Sequence, residues 1–488
     1  MIACRWFTAA SLVIVCACQK NAGPGDDPVA LERRLRAHVN FLSSDELEGR
    51  GTPSRGLDAA AAYLESRLVE IGAEPVVNGS YRQKYRIGSY LPGEAKVTVK
   101  INGKPVDAKD YVFINVGRDP AKGPISLPLV EAGSGLVYEE KGIDELAKLD
   151  VRGKAVVVRK GAPWHLDASA VFGPDRAVGK LIAATVRGAE LLVYLSEELD
   201  FCVEAECQFF KEMKQAPVGF VRDPMLKHAS ALNPILALRP KAYGSAPGSR
   251  IEIGIDAKVR EADASNVLGL IGGTDSQLTK DHVLLTAHYD HLGSRPAKPG
   301  EDGIWNGADD NASGTAGVLE VAREVAQRPG KRSVLVFFTS GEGRGILGSA
   351  YYSAHPVIPI SQIAVQLNLD MIGRSSGKVQ AIAHHSPQLY RDAVAAGKAA
   401  GIEAIEDQQP SWRVTYLTDV YHFARAGVPG VEFFTGIHPD YHQPSDTAEK
   451  IHYREMVRIV AVASRMTRLY VDGKAKPAVE RPKWFVTP

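Results

Sequence analysis

The C-terminal half of the chain alternates fully apolar runs with stretches of helical periodicity. The runs are NVLGLIGG (266–273), HVLLTAH (282–288), SVLVFFTS (333–340), IAVQLNLD (363–370) and GVEFF (430–434). Short runs of this kind are typical of strands buried on both faces of a sheet, and residues 313–327 between two of them are helical in pattern. Residues 265–472 therefore predict an α/β fold, a three-layer sandwich in which helices flank a mixed, mostly parallel sheet.

The region before this half has a different pattern. Short β-like runs lie there among glycines, prolines and irregular loops, from about residue 115 to residue 245. Its two flanks, KVTVKING (96–103) and RIEIGIDAKV (250–259), alternate as strands that can pair with each other. We therefore expect a small β-rich module of residues 115–245, inserted into one domain made of residues 30–114 and 246–475.

The first twenty residues predict export. An apolar run of about a dozen residues from Trp6 to Ala17 is too short to span a bilayer, so residues 1–18 are interpreted as a signal peptide. The ending Val15-Cys16-Ala17-Cys18 is similar to the box at which bacterial lipoproteins are cut, which predicts lipidation of Cys18; plain cleavage and release is the alternative. The expected location is the periplasm or outer membrane of a bacterium, or the surrounding medium.

Removal of this segment leaves Cys202 and Cys207 of the five cysteines. In an exported protein such a pair predicts a small disulfide loop, with free thiols as the alternative. No further ligands cluster near the pair, so a zinc site there is not expected.

The charge balance limits the possible partners. The 58 Lys and Arg residues nearly equal the 57 Asp and Glu residues, so no global field would attract nucleic acid or anionic lipid. A small or neutral ligand is the expected partner, and membrane contact is expected only through the possible lipid anchor.

Side chains of metal-ligand type stand at or beyond the ends of the apolar runs, where open α/β sheets bind their ligands. They are His288, Asp310, Glu342, Asp370 and His442. A hydrolytic zinc site needs imidazole and carboxylate ligands, an open coordination position and a nearby carboxylate that takes up a proton. Every type is present, and Asp290 is placed to fix the tautomer of a neighbouring ligand histidine.

Five motifs in order carry a family resemblance. TAHYDHLG, NGADDNASG, GEGRGILGS, LNLDMIGR and HPDYHQPSD resemble the co-catalytic dizinc aminopeptidase family, whose relatives include bacterial leucyl aminopeptidases and glutamate carboxypeptidases. The LEGRGTPSRG segment and the inserted module are similar to members that carry a protease-associated domain. The resemblance implies a zinc metallopeptidase that removes N-terminal residues from peptide substrates, with carboxypeptidase activity as a lesser alternative.

The resemblance also implies the division of labour at the metal. His288 and Asp370 would bind one zinc, His442 would bind the other, and Asp310 would bridge the two. Glu342 would be the general base that passes a proton to the leaving amine.

Further residues are implied for substrate handling. Tyr441 is a candidate hydrogen-bond donor to the oxyanion formed at the scissile carbonyl. Asp419 aligns with a motif that lines the family's pocket, and Trp412 and Phe423 are candidates for the walls of that pocket.

One position departs from the family pattern. The family has two consecutive acids where this chain has Glu342-Gly343, so the second zinc loses one of its three protein ligands. Three hypotheses follow: a second zinc held by water or an unidentified side chain, a site that works with one zinc, or a catalytically impaired peptide-binding homologue. Retention of Glu342 argues against the last.

Other hydrolase classes fit less well. Residues 373–377 formally match the nucleophile elbow of serine hydrolases, but the sequence that follows alternates as a strand where the elbow needs a helix. No HExxH motif occurs. Glutaminyl cyclases have the fold that the resemblance implies, but they depend on an acid at the position that Gly343 occupies in this chain.

Overall fold

The structure, a computed structural model, describes residues 27–138, 141–161, 173–199, 217–226, 232–244, 248–408, 410 and 413–480. Cys18, Cys202, Cys207 and Trp412 lie outside the described residues, so the roles expected of them stay predictions.

The first helix begins with a local start signal. Pro28 is its first residue, where the missing N–H is not needed, and the Asp27 carboxylate accepts a hydrogen bond from Val29 N at 3.0 Å. The helices are α1 (Pro28–Leu42), α2 (Arg55–Glu70), α3 (Ala177–Thr185), α4 (Gly314–Gln327), α5 (Leu347–Ala354), α6 (Pro387–Ala400), α7 (Val420–Arg425) and α8 (Tyr453–Val471).

The strands form two large sheets and two short ribbons. In chain order they are β1 (Glu74–Pro75), β2 (Arg82–Tyr90), β3 (Lys96–Ile101), β4 (Lys104–Pro105), β5 (Tyr111–Ile114), β6 (Ile125–Glu131), β7 (Val137–Tyr138), β8 (Ile143–Asp144), β9 (Ala155–Arg159), β10 (Leu191–Leu195), β11 (Val218–Val221), β12 (Ile235–Leu238), β13 (Arg250–Asp256), β14 (Arg260–Ile271), β15 (His282–His288), β16 (Gly293–Ser294), β17 (Ile304–Trp305), β18 (Ser333–Thr339), β19 (Ile363–Leu369), β20 (Lys378–Ile382), β21 (Glu403–Ile405) and β22 (Gly430–Phe434). The ribbons pair β7 with β8 and β16 with β17.

The first sheet contains the strands expected from the apolar runs. Its order is β11-β2-β14-β18-β15-β19-β22-β20-β21, with β1 beside β14. The four central strands β18, β15, β19 and β22 are parallel, and every residue of β15, β18 and β19 is buried. The mixed sheet is confirmed, but parallel pairing is less extensive than expected, because apart from β20–β21 the flanking pairs are antiparallel.

Helices cover both faces of this sheet. Alternate side chains of a strand point to opposite faces, so Val283 and Leu285 of β15 pack in the cluster that also contains α1, α2, α4, α6 and α8. Leu284 points the other way and packs with Tyr352 of α5 and Phe423 of α7. The three-layer α/β sandwich is confirmed.

The second sheet is built around the segment expected to be an insert. Its order is β4-β3-β13-β6-β9-β10-β12-β5, and β3 pairs with β13 antiparallel, from Ile101 opposite Ile251 to Lys96 opposite Asp256. The flanking strands therefore belong to the second sheet, which spans residues 96–256. Conversely, β11 lies inside the expected insert but pairs with β2 of the first sheet.

Among the described residues, no helix combines the length and the apolar character needed to cross a membrane.

Candidate metal centre

Three strand ends bring imidazole and carboxylate side chains to one edge of the first sheet. His288 is the last residue of β15, Asp370 directly follows β19, and Glu342 lies just beyond β18. Because these strands are parallel neighbours, their carboxyl ends meet at the same edge. The structure thus brings together three of the side chains expected at the site.

His288, Asp310 and Asp370 form a buried cluster of possible metal ligands. His288 Nε2 lies 3.2 Å from Asp310 Oδ1 and 3.4 Å from Asp370 Oδ1. One ligand atom of each residue lies within 4.8 Å of the others. Two donors bound to one zinc at about 2.1 Å are roughly 3.4 Å apart in a tetrahedral site. The donor types and spacings therefore fit a zinc ion.

Asp446 holds the backbone that carries Asp310. Its carboxylate accepts hydrogen bonds from Asp309 N at 3.0 and 3.1 Å and from Asp310 N at 3.1 Å. Asp309 has other partners, because it accepts from Gly373 N at 2.6 Å and lies 3.1 Å from His438 Nε2. Asp310 rather than Asp309 therefore faces the cluster. Asp446 was not expected at the site, although it ends the HPDYHQPSD motif.

The second oxygen of Asp310 faces two histidines. Asp310 Oδ2 lies 3.2 Å from His442 Nε2 and 3.5 Å from His291 Nδ1. The His291 and His442 rings are 5.8 Å apart between centroids. His442 was expected here, whereas His291 was missed, although it stands in the same HYDH stretch as His288.

Asp290 connects His288 to the loop that carries Glu342. Its Oδ1 lies 3.7 Å from His288 Nδ1 and accepts a hydrogen bond from Glu342 N at 3.3 Å. Its Oδ2 accepts a hydrogen bond from Thr52 Oγ1 at 2.7 Å. His288 Nδ1 lies nearer to the backbone oxygen of Asp290, at 3.2 Å, so Asp290 faces this nitrogen of His288 with both its main chain and its carboxylate.

Arg50 is a third residue that sequence reasoning missed, after Asp446 and His291. It is fully buried and donates to three backbone carbonyls around the site: Tyr289 O at 2.8 Å, Asn306 O at 2.8 Å and Gly307 O at 2.9 Å. Burial lowers the pKa of its guanidinium to about 10, so it stays charged beside the carboxylates. Arg50 of the LEGR segment therefore holds the backbone around the site in place. In the sequence, only the occurrence of Arg50 in a motif could have indicated this role.

The cluster shifts the pKa values of its own members. Burial opposes charge on His288, but Asp370 and Glu342 outweigh burial and hold the pKa of the imidazole well above its usual range. Burial opposes ionisation of Asp310, yet the neighbouring imidazoles of His291 and His288 hold the pKa of its carboxyl well below its usual range. Burial raises the pKa of the Glu342 carboxyl well above its usual range, against the opposing effect of His288.

The pKa of His291 is shifted in the opposite direction from the pKa of His288. Burial lowers the pKa of the His291 imidazole to about 3, so the ring is neutral at pH 7. Neutral imidazole is the form that binds metal ions.

Tyr441 lies beside the metal ligands. Its ring stacks on the His442 ring with centroids 3.8 Å apart and an interplanar angle of 22°. The tyrosine is thus at the site, and its role as an oxyanion donor stays a prediction.

Two residues expected in the substrate pocket are buried. Phe423 is fully buried in the core and packs against Phe337 and Tyr352, with centroids 6.2 and 5.7 Å away. Asp419 is also buried and accepts a hydrogen bond from Thr339 at the end of β18. The prediction of Phe423 as a pocket wall is wrong because α7 turns this side chain toward the sheet. Asp419 lies beside the end of β18, and its expected place in the pocket stays a prediction.

Comparison with known proteins agrees with this geometry. Residues 266–467 match peptidase family M28. A 183-residue segment, 35% of the chain, is 30% identical to "Aminopeptidase YwaD" of Bacillus subtilis and covers 37% of that protein. A longer match of 23% identity covers 83% of the chain and 76% of "probable leucine aminopeptidase 2" of Aspergillus oryzae. The first of these matches thus spans little more than a third of the relative's length.

The fold also has a solved counterpart. The aminopeptidase from Aneurinibacillus sp. strain AM-1 superposes with a TM-score of 0.50 at 16% identity, over 94% of this chain and 96% of that one. Fold, donor set and sequence matches together are similar to those of zinc-dependent peptidases. Residues 266–467, less than half of the chain, match the model of peptidase family M28, which supports the resemblance to dizinc aminopeptidases.

Proposed function

We propose that the protein is an exported zinc aminopeptidase that hydrolyses N-terminal residues from peptides. The observation that carries the proposal is the placement of Glu342 beside the His288, Asp310 and Asp370 cluster. Burial raises the pKa of the Glu342 carboxyl, and a carboxylate of raised basicity is the kind of group that serves as a general base. The names of the relatives that match the chain, both aminopeptidases, support the same activity.

The residues of the chain have distinct tasks in this reaction. Zinc supplies Lewis acidity toward the scissile carbonyl and lowers the pKa of water. Glu342 accepts the proton of the attacking water and passes it to the leaving amine. Asp290 fixes the tautomer and orientation of His288. Tyr441 donates a hydrogen bond to the oxygen of the tetrahedral intermediate.

Replacement of Glu342 tests the proposal. Hydrolysis of an aminoacyl p-nitroanilide should fall by at least roughly 100-fold in kcat for Glu342→Gln, because general-base catalysis contributes 10²–10⁴-fold. Zinc content should stay unchanged, since Glu342 is the base and not a ligand. Glu252→Gln, on an exposed position of β13, is the matched control and should keep full activity. An equally active Glu342→Gln enzyme would refute the assignment.

Peptides blocked at one end distinguish the two exopeptidase activities. An aminopeptidase should cleave a peptide with an amidated C-terminus and should leave an N-acetylated peptide intact. The reverse pattern would favour the carboxypeptidase alternative.

A catalytically impaired peptide-binding homologue is the non-enzymatic alternative, and Gly343 is the observation that favours it. Such a protein would bind peptides but release no N-terminal residue with zinc present. The retained base and the buried ligand cluster support catalysis instead.

The N-terminal region and the second sheet complete the proposal. Cleavage of the signal peptide directly before Cys18 leaves Cys18 as the lipidated first residue, and Cys202 pairs with Cys207. The second sheet is a protease-associated module, and its core cluster includes Tyr421 and Val420 of α7, which lies beside the site. Intact-mass analysis of the exported protein, with and without reduction, tests both the lipid and the disulfide.

A further inference from the structure

A groove of about 1200 Å³ lies on the outer surface of the helices α1, α4, α6 and α8. None of the metal ligands lines it. Small apolar side chains of α6 and α8, such as Ala396 and Ala461, form part of its wall. Val29 and Leu469, two exposed apolar side chains, stand in the same groove, which we call the helix groove. It therefore combines an exposed apolar surface with a concave shape.

The charged side chains of the helix groove are separated by depth. Among the described residues, seven arginines and four acids line it. The side chains of Glu320 and Asp392 are only 1% and 9% exposed, and they pair with Arg34 and Lys474. The negative charge thus lies mostly below the surface, where it is neutralised, and the excess of positive charge is left at the rim.

Three arginines of α8 form the exposed part of this charge. Arg454, Arg458 and Arg465 are exposed, and their spacing of four and seven positions places them on one face of the helix. Arg458 pairs with Glu455 at 3.0 Å, whereas Arg454 and Arg465 make no ion pair with any described residue. This arginine face is therefore locally basic, although the charges of the whole chain are nearly balanced.

The start of α1 connects the helix groove with the N-terminal region of the chain. Pro28 and Val29, the first two residues of α1, line the groove. Cys18, the proposed site of lipidation, stands nine positions before Asp27. Nine residues span at most about 30 Å when fully extended. A lipid on Cys18 therefore keeps the start of α1, and the groove beside it, close to the membrane.

We propose that the helix groove and the arginine face dock the protein on an anionic lipid surface. Phosphates of the lipid headgroups pair with the arginine face, and Val29 and Leu469 contact the apolar part of the interface. A second copy of the chain is a poorer partner, because two surfaces of the same sign repel each other. The inference goes beyond the peptidase activity, and it rests on lipidation of Cys18 only for the orientation of the groove.

Vesicle binding of the unlipidated protein tests the proposal. The chain is produced without its signal peptide, so that Cys18 carries no lipid. It should sediment with vesicles that contain phosphatidylglycerol but not with vesicles of phosphatidylcholine alone, and salt should weaken the binding. The triple variant Arg454→Gln, Arg458→Gln, Arg465→Gln should bind roughly 100-fold more weakly, because each arginine at an anionic surface contributes roughly fivefold.

A matched triple variant controls for net charge. Arg86→Gln, Arg250→Gln and Arg260→Gln remove the same charge from exposed positions on β2, β13 and β14, and this variant should bind as the wild type does. Hydrolysis of an aminoacyl p-nitroanilide should be unchanged in both triple variants, since neither alters the metal centre. A failure of the lipid proposal therefore leaves the proposed function standing.

Four results would overturn the proposal. They are wild-type protein that ignores phosphatidylglycerol, equal losses in the two triple variants, binding of inorganic phosphate as tight as that of vesicles, and a vesicle-free dimer that dissociates when the arginine face is replaced. The third result would identify a free anion as the ligand, and the fourth a second copy of the chain. If the α8 triple variant fails to fold, Arg454→Gln and Arg465→Gln are measured singly, each with an expected loss of roughly fivefold.

Discussion

At the scale of single residues, the side chains near the site divide into those that face the metal cluster and those that support it. Phe423 shows the difference most clearly, because its neighbours in the sequence suggested a pocket while its contacts are with Phe337 and Tyr352 in the core.

Truncation of Phe423 should therefore act on stability and not on substrate binding. We expect Phe423→Ala to lower the free energy of unfolding by about 3–5 kcal/mol, the usual cost of removing a buried aromatic ring. The KM of the folded enzyme should not change. Urea denaturation and steady-state kinetics measure the two quantities. A raised KM at wild-type stability would instead support Phe423 as a wall of the substrate pocket.

Asp440 is a residue-scale source of pH dependence. Its carboxylate accepts from Lys450, from Ser445 Oγ at 2.7 Å and from Arg374 Nη1 at 2.9 Å, in the loop that carries His442. The hydrogen bond from Lys450, then those from Ser445 and Arg374, hold the pKa of this carboxyl well below its usual range.

A lowered pKa in the folded state stabilises the protein above the unfolded value of about 3.9, and the contribution is lost as the pH falls through the folded value. Wild type should therefore be more stable than Asp440→Asn at pH 6, and the gap should shrink steadily below about pH 4. Thermal unfolding across this range measures the gap. A constant gap down to pH 2 would contradict the prediction.

At the scale of elements, the segment Asp45–Arg50 connects the first sheet to the loop that carries Asp310. The Arg50 guanidinium joins Tyr289, directly after β15, to residues 306–307. The charge of this side chain also offsets the carboxylates of Asp290 and Asp446 nearby.

Arg50→Met should consequently destabilise the whole domain. We expect a loss of about 3–5 kcal/mol, because the change leaves buried carbonyls without donors and buried carboxylates without a counter-charge. Arg458→Met is the control, since Arg458 makes an exposed ion pair with Glu455 that is worth less than about 1 kcal/mol. Chemical denaturation of both variants provides the comparison, and equal losses would contradict the role given to Arg50.

At the scale of the whole molecule, the metal cluster joins segments that are far apart in sequence. His288, Asp370 and Asp310 come from three different strand or loop connections, and the loop with His442 adds a fourth. An ion that binds only the folded chain stabilises it by mass action.

Removal of zinc should therefore lower the melting temperature. A site occupied at 1,000 times its Kd contributes about 4 kcal/mol, so a strong chelator should shift thermal unfolding downward and added zinc should reverse the shift. Asp370→Asn should reduce the zinc-dependent part of this shift. A melting temperature that does not respond to chelator would exclude tightly held structural zinc.

Much of the architecture was predictable from the sequence for a simple reason. Strands buried on both faces are continuous apolar runs, and the ends of parallel strands meet at one edge of the sheet. His288, Asp370 and Glu342 could thus be placed together before any coordinates, and the motifs added Asp310 and His442.

Only the tertiary structure assigned the supporting residues. Arg50 reaches Tyr289 and Gly307 across more than 200 positions of sequence, and Asp446 reaches Asp309 and Asp310 across 137 and 136 positions. Such contacts depend on how loops from distant parts of the chain pack against each other. The local pattern of apolar and polar residues carries no information about that packing.

The sequence thus determined the class of fold and the identity of His288 and Asp370 as ligands. Residue type and position at the end of a strand are local properties, which a sequence shows. The tertiary structure decided which face of α7 is buried, how far the second sheet extends, and that His291 stands opposite His442. These depend on packing between distant segments, where burial and the direction of a side chain are set by neighbours that the sequence alone does not identify.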